Sequence, residues 1–312
     1  MLAIVAPGQG AQTPGFLTAW LQDPESAERV AQMSGVTDLD LAHFGTEADA
    51  ETIRDTAVAQ PLLVAASLVA ARALSADLAS LADVVAGHSV GELAAMALAG
   101  VLHDDDAIKL VRERGQAMAE ASALRETSMT AVVAGKPDEV LAAIEEAGLT
   151  PANNNGAGQI VAAGTVEQLA ALADNPPRRA RLVPLSVAGA FHTVHMEPAV
   201  ERLTRVAEGV ASAAPRTRLI SNRDGAVVTN GDDALLRMIN QVANPVRWDL
   251  CMETMTQLGV TGILELTPAG TLTGIAKRNL PGVELFNLDS PDQLDDARAF
   301  CRTHSTFHND EN

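Results

Sequence analysis

Residues 83–102 read DVVAGHSVGELAAMALAGVL. Asp83–Gly87 is a short apolar run of strand type, and Glu92–Leu102 is an Ala-rich stretch of helical type. Between them, Gly87-His88-Ser89-Val90-Gly91 fits G-x-S-x-G. The pentapeptide alone is weak, because such runs arise by chance. Set between a strand and a helix, however, it places a serine on a sharp turn at the end of a sheet, with its hydroxyl exposed. The two glycines permit the crowded backbone there. The helix behind aims its N-terminal N–H groups at any developing negative charge. Ser89 is therefore predicted to be a nucleophile.

A serine hydroxyl needs a base to take its proton. Of the seven histidines, His43 and His103 lie beside polar or loop segments, and His304 and His308 lie in the polar tail. His88 adjoins Ser89, points away from it on an elbow, and is counted with the substrate-binding residues. This leaves His192 and His195 in Gly-Ala-Phe-His-Thr-Val-His-Met, with His192 preferred. No carboxylate stands out as a partner for that histidine. Asp104–Asp106 and Asp174 look like solvated loop residues, which weakens a lipase or esterase reading.

Further out, Met1–Ala6 reads as a first strand closed by Pro-Gly-Gln-Gly, and Pro61 opens a helical pattern over Leu62–Leu74. Thr130–Ala134, Thr150–Asn155, Gln159–Ala163 and Arg181–Leu185 read as strands, and Asp138–Ala147 and Val166–Ala173 as helices. This β-α-β-β-α-β order is ferredoxin-like and complete within about sixty residues. The expected fold is α/β, with a small ferredoxin-like domain over residues 124–188 inserted into a larger domain made of 1–123 and 189–312. The tail is expected to be disordered from about Thr303.

The chain has 312 residues, 47% of them hydrophobic, with two Cys and no Tyr, and a net charge of −18. That charge argues against nucleic acid or an anionic membrane as the main partner. Local basic clusters remain at Arg178, Arg179 and Arg181 and at Lys277 and Arg278. Cys251 and Cys301 show no metal-binding spacing and suit a reducing compartment. No basic segment precedes the first apolar run, so no signal peptide is expected. Gln60, Pro61 and Arg72 interrupt Ala57–Leu74, so no membrane span is expected and the protein is predicted to be cytoplasmic.

Taken in order, PGQGAQ, GHSVGE, the Arg114-Gly115 pair, NNNGAGQIVAAG, GAFH, NPVRW and ELTPAGTLTGIAKR resemble the malonyl-CoA:acyl carrier protein transacylase family, the loading enzymes of bacterial fatty-acid and polyketide synthesis. The family's build, a hydrolase-like large domain with a ferredoxin-like insertion, agrees with the pattern above. The resemblance implies that Ser89 is acylated, that His192 is its base, and that the N–H groups of Gln9 and Val90 form an oxyanion hole. It implies that Gln241 holds His192 through its backbone carbonyl, in place of a carboxylate. Arg114 would grip the malonyl carboxylate as a bidentate fork, although an isolated Arg on such a helix is more often a surface cation. Asn155 would lie along the coenzyme A or pantetheine path. Phe191 would crowd out an added methyl and so favour malonyl over methylmalonyl. The sequence departs from the family at His195, where an apolar residue is more usual, and lacks the aromatic residue often found before Pro7.

The expected reaction is ping-pong transfer from a coenzyme A thioester to the thiol of an acyl carrier protein, with no metal or redox cofactor. Lys277 and Arg278, with the Arg178–Arg181 cluster, are expected to form a basic patch for that carrier near the site. The alternatives are a serine thioesterase or other hydrolase, and a non-catalytic carrier-protein-binding module.

Overall fold

The computed structural model describes residues 1–307. Eleven strands form two sheets: β1 (Leu2–Ala6), β2 (Val84–Gly87), β3 (Thr127–Ala134), β4 (Thr150–Asn154), β5 (Gln159–Thr165), β6 (Ala180–Pro184), β7 (Arg218–Ile220), β8 (Val227–Val228), β9 (Val246–Arg247), β10 (Gly262–Glu265) and β11 (Glu284–Asn287). The first sheet has the order β11-β10-β1-β2-β7-β8 and is parallel except for the terminal β7–β8 pair. Its central strand β1 is buried along its whole length. Helices cover both faces of such a sheet, so its strands carry apolar residues at every position. The period of two sends Leu2, Ile4 and Ala6 into the main core, and Ala3 and Val5 into a second core with Val84, Ala86, Ile220 and Trp248.

The second sheet has the order β6-β3-β5-β4-β9. Strands β3 through β6 pair antiparallel, and the helices Pro137–Glu146 and Val166–Asp174 separate them in sequence at the expected places. These helices close a third core over Val132, Ile144 and Ile160. The fifth strand, β9, comes from the polar segment before Trp248 and pairs parallel with β4. Two pairing residues are too short a run for period-two patterning to reveal.

Two expectations are corrected. The helix expected from Pro61 starts at Thr56, where the Asp55 side chain caps it by accepting the Ala57 N–H. Pro61 thus lies inside the helix. The Ala57 carbonyl, four residues back, loses its helical donor and accepts instead from Arg112 Nη1 at 3.3 Å. This helix, Thr56–Leu74, is the one among the described residues long and apolar enough to cross a membrane, and most of it is buried inside the protein.

The second correction concerns the tail. The last helix runs Leu294–His304, with Ala297 and Cys301 buried, and Ser305 is buried after it. The His304 ring packs 4.5 Å from the ring of Phe300, and its Nδ1 lies 3.0 Å from Thr261 Oγ1. A narrow apolar stripe within polar composition anchors the segment. Residues 308–312, including His308, lie outside the described residues.

Candidate active site

Strand β2 ends at Gly87 and the helix Gly91–Leu98 begins four residues on. Ser89 turns between them in the left-handed region, at φ 53°. A Cβ on Gly87 would lie 2.0 Å from the Gly91 carbonyl, so only glycine fits there. The first loop packs on this elbow, with Gly8 against the His88 main chain. Among the described residues, neither the Gln9 N–H nor the Val90 N–H has an acceptor, whereas the Ser89 N–H is taken by Asn222 Oδ1 at 2.7 Å.

Ser89 Oγ lies 2.8 Å from His192 Nε2. His192 is buried, also at positive φ (61°), and its main-chain N–H donates to the Val242 carbonyl. Its Nδ1 lies 2.7 Å from the Gln241 carbonyl, which accepts only from N–H and so assigns the proton to Nδ1. Nε2 then carries the lone pair facing the serine. Burial, reinforced by the nearby Arg114 charge, pushes the imidazole down to about 3. The ring is therefore a neutral acceptor for the Ser89 proton. His195 forms no such contact: it is half-buried, borders a cavity with Leu124 and Arg125, and its main-chain N–H bonds Thr193 Oγ1.

Arg114 is wholly buried on the helix Asp104–Ala123. Gly115 lets that helix close on the start of the helix Thr56–Leu74, since a Cβ there would stand 2.9 Å from the Thr56 carbonyl. The approach brings Arg114 Nη1 to Gln60 Oε1 at 2.6 Å, while Nη2 reaches Gln241 Oε1 at 2.9 Å and Ser89 Oγ at 3.4 Å. Arg114 Nε has no partner, and no carboxylate touches the guanidinium among the described residues. Burial lowers it to about 10, which leaves it charged at neutral pH. A buried cation held by two neutral amides, 3.4 Å from Ser89 Oγ, has the chemistry to receive an anionic ligand.

His88 Nε2 bonds Asn155 Oδ1 at 2.9 Å, and the ring meets Trp248 edge-on. Asn155 Nδ2 also donates to Gln159 Oε1, so both ends of its amide are engaged, one by His88 and one by Gln159. Phe191 is buried in the main core, next in the chain to His192. Lys277 and Arg278 are exposed in the last turn of the helix Thr271–Asn279, whose Asn279 contacts the 155–157 loop beside His88. The Arg178–Arg181 cluster does not join them. It belongs to edge strand β6 and the turn before it, across the whole second sheet from β4 and β9.

Three residues escape sequence reasoning: Gln60, Glu92 and Asn222. Each partner is remote in the chain, as with Glu92 and Gln241, 149 residues apart. One signal was present: Glu92 is the sole charged residue of the helix Gly91–Leu98.

A parallel sheet that delivers a serine to a histidine, beside N–H groups with no acceptor among the described residues, is equipped for acyl transfer, and residues 4–284 match the acyl transferase domain family. The chain is 51% identical over 298 residues to the malonyl CoA-acyl carrier protein transacylase of Mycobacterium tuberculosis, covering 95% of this chain and 99% of that one. The crystal structure of MCAT from Mycobacterium tuberculosis superimposes with a TM-score of 0.92 at 50% identity, covering 96% and 99% of the two chains. A type II PKS acyl-carrier protein in complex with its malonyl-transacylase provides a further match, with a TM-score of 0.89, 30% identity and the same coverage. The chain belongs to the malonyl CoA-acyl carrier protein transacylase family.

Proposed function

We propose that this protein transfers a malonyl group from malonyl-CoA to the phosphopantetheine thiol of an acyl carrier protein, through a malonyl ester on Ser89. The observation that carries the proposal is Arg114: a buried guanidinium 3.4 Å from Ser89 Oγ, without a carboxylate partner among the described residues. An acyl group ending in its own carboxylate supplies that partner, and an acetyl group does not.

In the first half-reaction Ser89 Oγ gives its proton to His192 Nε2 and attacks the thioester carbon. The oxyanion is received by the Gln9 and Val90 N–H groups, which have no other acceptor among the described residues. The tetrahedral intermediate collapses, the C–S bond breaks, and His192 protonates the coenzyme A sulfur. Imidazolium character is supported by the Gln241 carbonyl on Nδ1. The malonyl carboxylate also quenches the Arg114 charge, which otherwise lowers the basicity of His192. In the second half-reaction the carrier thiol gives its proton to His192 and attacks the ester carbon; the C–Oγ bond breaks and His192 returns the proton to Ser89 Oγ. Each step uses groups of the chain and its substrates.

The antiparallel order β6-β3-β5-β4 supports a ferredoxin-like small domain at 124–188, to which residues 246–247 add a fifth strand. The six-stranded sheet bearing the elbow supports a hydrolase-like large domain from 1–123 and 189–312. His88, Asn155 and Phe191 line the approach to the acyl group, and Lys277 and Arg278 receive the acidic carrier. Two free, buried cysteines support a cytoplasmic setting. A carbonyl rather than a carboxylate on His192 favours transfer over hydrolysis.

The test is acceptor dependence. With malonyl-CoA and a holo-carrier protein, malonyl should appear on the carrier far faster than free malonate appears in its absence. Malonate released as fast without carrier would make the protein a thioesterase.

A further inference from the structure

Gln241 has one end of its side-chain amide against Arg114 and the other against two oxygens. Its Nε2 donates to Glu92 Oε2 and, at 3.1 Å, to Asn222 Oδ1. Asn222 is itself fixed, because its Oδ1 accepts the Ser89 N–H and its Nδ2 donates to the Gly87 carbonyl at 2.8 Å. Glu92 Oε1 accepts the Asn222 main-chain N–H at 3.2 Å. Turned end for end, the Gln241 amide would set its oxygen against two oxygens and its NH2 against the guanidinium. The arrangement admits one orientation.

We propose that Glu92 is a positioning residue that sets the preference for a carboxylate-bearing acyl group, by fixing which end of the Gln241 amide faces Arg114. The inference rests on the reading of Arg114 as the malonyl receptor. Two amide oxygens, from Gln60 and Gln241, hold the two ends of the guanidinium fork. With an amide or a protonated carboxyl at position 92, a donor faces Gln241, whose oxygen turns to accept it. The Gln241 NH2 then faces Arg114 and the fork loses one of its two supports. An acetyl group, with no carboxylate to bind, is indifferent to that loss.

The same device responds to pH. Burial pushes Glu92 up to about 7, against the pull of its Asn222, Ser221 and Gln241 hydrogen bonds and the Arg114 charge. Cys251, facing it from the helix Trp248–Leu258, is raised well above the ordinary thiol range and is neutral there. His192 is neutral above about 3, and Arg114 stays charged. Of these four groups, Glu92 alone changes charge near neutrality.

The experiment measures kcat/KM for malonyl-CoA and acetyl-CoA from pH 5.5 to 8.5, a working range of about 3 units centred on Glu92. It compares the wild type with Glu92→Gln, Glu92→Asp and Arg114→Ala. The malonyl-to-acetyl ratio does not depend on the fraction of folded enzyme. In the wild type it should rise with pH through about 7. In Glu92→Gln it should be flat and lower by on the order of tenfold, and Glu92→Asp should restore part of it. The double variant Glu92→Gln with Arg114→Ala should show no loss beyond that of Arg114→Ala alone. An unchanged ratio in Glu92→Gln, or an additive loss in the double variant, overturns the proposal. If Arg114→Ala leaves the ratio unchanged, the reading of Arg114 fails instead. Should Glu92→Gln yield no soluble protein, Gln241→Met probes the same link, and an unchanged ratio there is equally fatal.

Discussion

His192 is useful because it is neutral and aimed, with Nδ1–H on the Gln241 carbonyl and Nε2 on Ser89. His192→Ala should slow acylation of the serine by on the order of a thousandfold or more, and His195→Ala far less, read by stopped-flow with malonyl-CoA. Comparable losses would show that the base is misassigned. A second readout follows from linkage. Unfolded His192 titrates at its ordinary 6.5, and native His192 at about 3. Between those values the unfolded chain binds the proton and the native protein does not. The stability this contributes is full above pH 6.5 and is lost as pH falls toward about 3. His192→Ala should therefore destabilise less, or even stabilise, as denaturation is repeated from pH 7 down to 4.5, a span of about 2.5 units. Ser89 and His192 stand in short motifs with local structural meaning and Arg114 was singled out by the family resemblance, and the structure brings the three side chains together. Gln60, Glu92 and Asn222 were not legible, because buried polar residues acquire their roles from partners that only the fold brings together.

The helices Thr56–Leu74 and Asp104–Ala123 meet where Gly115 faces the Thr56 carbonyl, and this crossing sets Arg114 against Gln60. Gly115→Ala forces a Cβ to within 2.9 Å of that carbonyl. It should cost about 1–3 kcal/mol of stability through overpacking. It should also lower malonyl kcat/KM, because the guanidinium moves with its helix. Urea denaturation and steady-state rates check both, and a variant equal to the wild type in each would remove the contact from the account. The sequence marked the strands and helices of the second sheet within a few residues, since alternation and periodicity are local. It misplaced the start of the helix at Thr56, because Pro61 reads as a first-turn residue until Arg112 is seen on the Ala57 carbonyl. It also missed β9, whose pairing with β4 is a tertiary event.

At the scale of the molecule, the two sheets are joined at the site itself. The segment that supplies Gln241 to His192 continues into β9 at the edge of the second sheet. The same segment thereby ties His192 to the small sheet's 155–157 loop, where Asn155 holds His88. The chain is strongly acidic at −18, so attraction of an acidic carrier depends on local cations and not on the overall field. Lys277 and Arg278 stand next to that loop, and the Arg178–Arg181 cluster does not. Composition showed the overall charge, but which cations share a face was a matter of topology.

The central claim, that a malonyl ester forms on Ser89 and is passed on, is tested by intact-mass spectrometry. The wild-type protein is exposed briefly to malonyl-CoA, then mixed with holo-carrier protein, alongside Ser89→Ala. The wild type should gain one malonyl group, located on the peptide containing Ser89, and lose it to the carrier, while Ser89→Ala gains none. Malonylation of Ser89→Ala at the wild-type rate, or a wild-type adduct that the carrier does not remove, would contradict the account.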